Sequence, residues 1–268
     1  MKKLFILLFC SLAVSTFGQK AKGPKFDIAD FNKKFEVVKW LYDYDYIAWH
    51  TSDSVMVQDT NEIKRLGREW FCFQDNNKIW HAVYGKYSKG VFDQVFHFTV
   101  DSMYKIRRVY DNVDTGLLNS YSRALITANN QIAALRDTIK ISFNQFIRFN
   151  ENQTFSVYIF PAFQRNNTAV YGGEFIYTID RSGGKVLKDD SYFQGNFKGY
   201  KVDNPREIWL NYRETDKPTL GAIFFVWYYK QFFTNIFIDC SKSKSTVMKD
   251  GKIYTWLHIE KEAESKSN

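Results

Sequence analysis

The apolar and polar positions of this chain change period several times, and each change marks an element. After a polar leader, Ile28, Phe31, Phe35, Val38 and Tyr42 recur at spacings of three and four, with Asp27 placed to cap the first turn. This predicts a helix that ends near Asp43. Tyr42-Asp43-Tyr44-Asp45-Tyr46 then alternates with period two. Ile47-Ala48-Trp49 continues it, so the stretch reads as a strand running into a polar turn at His50-Thr51-Ser52-Asp53.

Residues 68–110 carry the pattern of an antiparallel meander. Strands at 70–73 and 79–84 flank the turn Asp75-Asn76-Asn77-Lys78, and Ser88-Lys89-Gly90 turns the chain into a strand at 91–100. Phe92, Phe96, Phe98 and Val100 are expected on one face of that strand, with Asp93, His97 and Thr99 on the other. The clearest helix spans 115–136, where Leu118, Tyr121, Leu125, Ala128, Ile132 and Leu135 form a stripe suited to packing on a sheet.

Strands follow at 139–149, 154–160, 169–179 and 207–212, then a hairpin of 223–229 and 232–239 about Lys230-Gln231, and a last strand at 253–259. The segment Ile-Phe-Phe-Val-Trp-Tyr-Tyr at 223–229 has almost no polar face, so it is expected to be covered on both sides. Residues 261–268 are expected to form a charged, frayed tail. No residue-level repeat and no Pro- or Gly-rich linker divides the chain. The expectation is one α+β domain over 26–260, with a large, mostly antiparallel sheet and two main helices packed on it.

The N-terminus changes the picture of where the chain works. Lys2 and Lys3 precede an apolar run at 4–14, and Ser15, Thr16, Phe17 and Gly18 lead to Gln19. This is the layout of a cleaved secretory signal over residues 1–18, followed by a flexible leader at 19–25. The run is too short to span a bilayer comfortably, so no membrane span is expected after cleavage. Its Phe-Gly-Gln ending resembles export signals of Bacteroidota. Lipidation at Cys10 is disfavoured because Phe9 stands where a small residue is needed. The expected location is the periplasm or the cell exterior.

The formal net charge of +8 is spread along the chain and interleaved with acids, which argues for a solvated basic surface and against nucleic-acid binding. Beyond the signal, Cys72 and Cys240 are the only cysteines, free to form one disulfide or to remain buried thiols.

Candidate chemistry is sparse. The four histidines occur in no His-x-x-x-His frame, and no metal or cofactor motif is present. A hydrolase would have to draw its acid, base or nucleophile from dispersed residues, of which His50, Asp53, His81 and Glu174 are the candidates. Gly172-Gly173 beside Glu174 suggests a bulge or a close backbone approach. The unusual feature is aromatic content, with 25 Phe, 17 Tyr and 7 Trp. Much of it belongs in a β-rich core, but Trp40, Tyr44 and Trp49 with their neighbouring acids suit a platform for a partner. The leading expectation is an exported, non-catalytic module binding a glycan, lipid or envelope protein through that surface, and the alternative is a secreted hydrolase.

Overall fold

The computed structural model describes residues 26–261. The expected signal with Cys10, the leader and the tail beyond Lys261 lie outside the described residues. The chain begins with α1 (Ile28–Met56) and the short α2 (Thr60–Ile63), then a meander of β1 (Glu69–Gln74), β2 (Trp80–Ser88), β3 (Val91–Val100) and β4 (Ile106–Val109). Next come α3 (Thr115–Gln131) and α4 (Ala133–Thr138). The second sheet holds β5 (Phe143–Phe149), β6 (Phe155–Pro161), β7 (Thr168–Ile179), β8 (Val186–Asp189) and β9 (Tyr192–Lys201), with β8 and β9 following one another along the same edge of β7. The third sheet holds β10 (Glu207–Tyr212), β11 (Asn235–Cys240), β12 (Ser243–Asp250) and β13 (Ile253–Glu260), and α5 (Leu220–Tyr229) lies between its first two strands. All strand pairs are antiparallel except β10 with β11, whose parallel pairing requires the crossover that α5 supplies.

Period-two alternation in the first two sheets feeds two separate cores. Phe71, Val83, Ile147 and Val157 point toward Leu118 and Tyr121 of α3, and the Phe71 and Tyr121 rings stack at 4.8 Å. Their neighbours Cys72, Ala82, Tyr84, Phe146 and Tyr158 point the other way, into a larger core shared with α1 and α5. The first two sheets meet through β1 and β5, and the third sheet covers α5 through β11 and β12. The layers run α3, the first two sheets, α1 with α5, and then the third sheet.

The fold is thus α+β with antiparallel-rich sheets, but the strands divide among three sheets instead of one, and there are five helices among the described residues. Two helices stand where the sequence pattern reads as strand. The first is the second half of α1, which continues through the expected strand and turn to Met56. At roughly 100° per residue, Tyr42 and Tyr46 fall close together on a helix while Tyr44 points away from both. The hydroxyls of the expected turn bond helical carbonyls instead: Thr51 to Ile47 at 2.7 Å, Ser52 to Trp49 at 2.8 Å and Ser54 to His50 at 3.1 Å.

The second is α5, expected as the first arm of a hairpin. A short run apolar on all sides fits a buried strand or a buried helix equally well. Here Thr219, following Pro218, accepts from the Ala222 amide at 3.2 Å and starts a helix. The expectation that this segment is covered on both sides holds.

One smaller departure concerns register. Val95 is an extra residue between the pairs Tyr84–Phe96 and Gly85–Gln94. That bulge reverses the facing of β3, so Phe92 joins the α3 core while Phe96, Phe98 and Val100 join the other. Gly85 permits it, because a Cβ there would lie 2.2 Å from the Asp93 carbonyl oxygen. The serine-rich stretch before Met248 is the strand β12, which buries Ser243, Ser245 and Thr246. At Gly172 (φ +108°) the expected bulge is present, and a Cβ would lie 2.6 Å from the Asn196 carbonyl oxygen. No helix among the described residues is long and apolar enough to cross a membrane.

Candidate functional site

Because residues 42–50 are helical, Tyr42, Asp45, Tyr46 and Trp49 share one face of α1, with His50 at its edge. Opposite them stand Tyr228 and Tyr229 at the end of α5, Gln231 and Phe232 just beyond it, and Phe163 from the β6–β7 loop. Together they line a cleft of about 310 Å³. Small-molecule pockets span roughly 300–1,000 Å³, so this one suits a small ligand or a single projecting group.

The rings are fixed against one another. Tyr46 packs on His50 at 4.1 Å and on Tyr104 at 4.8 Å, Tyr42 meets Tyr228 edge-on at 6.1 Å, and Phe163 stacks on Phe232 at 6.4 Å. Tyr104 reaches Tyr46 from the β3–β4 turn with φ of +58°, a backbone region that bulky residues seldom enter. Asp101 stabilises that turn by accepting from the Met103 and Lys105 amides at 2.9 and 3.0 Å.

Asp45 is the charged group of the cleft. Its Oδ2 accepts from the Tyr228 hydroxyl at 2.7 Å, and Asn144 approaches Oδ1 at 3.5 Å. Burial pushes its pKa above the ordinary carboxylate value, while the Tyr228 hydrogen bond pulls it back. Among the described residues no Lys, Arg or His lies within ion-pair distance of it.

Of the three platform residues expected from sequence, only Trp49 stands at this surface, with 64% of its area exposed. Tyr44 is 1% exposed on the opposite face of α1, where its oxygen accepts from the Cys72 amide at 2.9 Å. Trp40 is half-buried beside Tyr44 and Trp80 at 5.3 and 6.0 Å. Asp45 is one of the acids that sequence reasoning set beside the platform, whereas Tyr42, Tyr46 and Tyr228 were not named as site residues. Reading 42–50 at helical spacing finds the first three, whereas Tyr228 and Phe163 reach the cleft only through tertiary packing.

The four hydrolase candidates fall on three elements, α1, β2 and β7, and none hydrogen-bonds another. His50 and Asp53 lie exposed on α1. Glu174, 4% exposed on β7, accepts from the Thr219 hydroxyl at 2.9 Å and from the Gly221 amide, capping the start of α5. Burial raises its pKa to about 7 despite those donors. His81 belongs to a chain across β2 and β3: its Nδ1 meets His97 Nε2 at 2.8 Å, and His97 Nδ1 meets the Asp111 carbonyl at 3.0 Å. At the other end His81 Nε2 lies 3.6 Å from Asp75 Oδ2.

A serine–histidine pair not anticipated from sequence joins β12 to β13, with Ser245 Oγ 2.8 Å from His258 Nδ1. Ser245 is 1% exposed, so no substrate reaches its oxygen. Burial between aromatic rings lowers the His258 pKa to about 4. Cys72 and Cys240 are both buried and free, in different sheets, and burial raises both thiol pKa values, that of Cys240 to about 11. Among the described residues no group of three or more His, Cys, Asp or Glu is arranged to hold a metal ion. No protein-family model, no curated protein and no solved structure matches this chain.

Proposed function

We propose that this chain is an exported, non-catalytic binding protein whose ligand seats in the cleft between α1 and α5. The observation that carries the reading is a concave aromatic site with an exposed Trp49, a partly exposed Phe163 and a convergent carboxylate at Asp45. Rings held against one another, with Tyr104 pressed on Tyr46 from a strained turn, form a preorganised wall that loses little freedom when a ligand arrives. Export is supported by the basic, apolar and small-residue order of the first eighteen positions. A secreted hydrolase has less support, since no hydrogen bond joins His50, Asp53, His81 and Glu174 to one another, His81 and Glu174 lie on strands apart from the α1 pair, and Glu174 is engaged as a helix cap.

The test is native mass spectrometry on protein purified from its host envelope, compared with a denatured control and with a Tyr46→Ala/Trp49→Ala variant. A noncovalent extra mass on the wild type that the variant lacks is the expected result. An extra mass retained in full by the variant, or a bare wild-type protein, overturns the reading.

A further inference from the structure

The charge of the cleft narrows what it takes. Asp45 is largely withdrawn from water, its one short hydrogen bond is to a neutral hydroxyl, and no cationic side chain pairs with it among the described residues. A carboxylate taken out of water is costly unless something positive compensates it. The rest of the lining adds no Lys or Arg and includes the rings of Tyr42, Tyr46, Trp49 and Tyr228. Aromatic faces attract cations through the ring quadrupole, most strongly those with a soft hydration shell.

The neighbouring turn of chain shows the same chemistry in use. Lys230 Nζ lies 4.0 Å from the Trp227 ring centroid, 4.9 Å from Tyr42 and 5.1 Å from Tyr254. That ammonium donates to the Trp227 carbonyl at 2.7 Å and makes no ion pair with Asp45. Tyr42 is therefore shared between a ring cluster that already holds a cation and a cleft that has the carboxylate but no cation of its own.

We infer that the cleft binds an organic cation, a quaternary or protonated ammonium group seated among Tyr42, Tyr46, Trp49 and Tyr228 with Asp45 as its counter-ion. The inference rests on the cleft being the binding site and adds the class of ligand. A neutral lipid chain would satisfy the rings but offer the carboxylate no donor, a sugar would offer it hydroxyl donors but no opposite charge, and an anion would face Asp45 directly.

The experiment is isothermal titration of the full mature chain with choline, with tetramethylammonium, with 3,3-dimethylbutan-1-ol as the neutral isostere of choline, and with glucose. Both cations are expected to bind, with the isostere weaker by on the order of tenfold or more and glucose weaker still. Asp45→Asn, which keeps one carbonyl oxygen to accept from Tyr228 but removes the charge, is expected to lose a similar factor for the cations while leaving the isostere unchanged. Equal binding of cation and isostere, or binding of glucose alone, overturns the inference and leaves the cleft standing as a binding site. No binding by any of the four also overturns it, and the extra mass on envelope-purified protein then decides separately whether the cleft binds something else.

Discussion

The hydroxyl of Tyr228 donates to Asp45 Oδ2 at 2.7 Å, joining two helices 183 residues apart and holding the carboxylate at the wall of the cleft. Removing the donor leaves a poorly solvated carboxylate with only the long contact to Asn144. Tyr228→Phe is expected to destabilise the fold by about 1–3 kcal/mol in urea unfolding. In a double-mutant cycle with Asp45→Asn, the cost of Tyr228→Phe is expected to shrink, because the carboxylate that needs the donor is gone. Independent, additive effects would mean that the bond contributes nothing.

Tyr44 and Trp49 lie five residues apart and are expected to behave oppositely. Tyr44→Phe strips the acceptor from the buried Cys72 amide and is expected to cost about 1–3 kcal/mol of stability without altering ligand binding. Trp49→Ala removes a mostly exposed ring and is expected to change stability by only about 0.5 kcal/mol while weakening binding. Thermal unfolding of the two variants, paired with ligand titration, checks both expectations.

The contrast between these residues also marks where the sequence was legible. The meander, the α3 stripe, the Gly172 bulge and the last strand follow from local patterns that tertiary packing leaves intact. The segment at 42–50 misled because Tyr-Asp-Tyr-Asp-Tyr satisfies period two in sequence, while the helix sorts the same rings onto two faces. The buried run at 220–229 has no polar face to report its period, so only the Thr219 cap distinguishes helix from strand. Phe92 changed sides through one inserted residue, Val95, which no alternation pattern announces. The aromatic segment that sequence nominated does contribute to the cleft, but its contributing residues are Tyr42, Asp45, Tyr46 and Trp49, and the partners from α5 become neighbours only in the folded chain.

Glu174 makes stability depend on pH. Burial raises its folded pKa from 4.5 to about 7, so the fold favours the protonated acid. The resulting stabilisation is full below the ordinary value of 4.5 and is lost as pH rises through about 7. At a pH of about 8 this one group is expected to have removed about 3 kcal/mol relative to acid conditions. Glu174→Gln keeps an acceptor for the Gly221 amide and is expected to abolish that difference, measured as unfolding free energy at both pH values. An unchanged pH profile would contradict the assignment.

The His81–His97 chain dictates its own tautomers. The Asp111 carbonyl only accepts, so His97 Nδ1 carries the proton and its Nε2 is the acceptor for a proton on His81 Nδ1. When both rings are neutral, His81 Nε2 is bare and faces the Asp75 carboxylate at 3.6 Å. Nitrogen-15 correlation spectra of the doubly neutral pair are therefore expected to show the Nδ1–H form at both residues. An Nε2–H tautomer at His97 would contradict the geometry.

The cleft is tested most directly by ligand-observed nuclear magnetic resonance with a mixed library of organic cations, neutral sugars and anions. The comparison is between the wild-type chain and Tyr46→Ala/Trp49→Ala, with circular dichroism confirming an unchanged fold. The account predicts binders drawn from the cations, with their signals lost on the variant. Binders that persist undiminished on the variant, or a wild-type chain that engages none of the library, would contradict it.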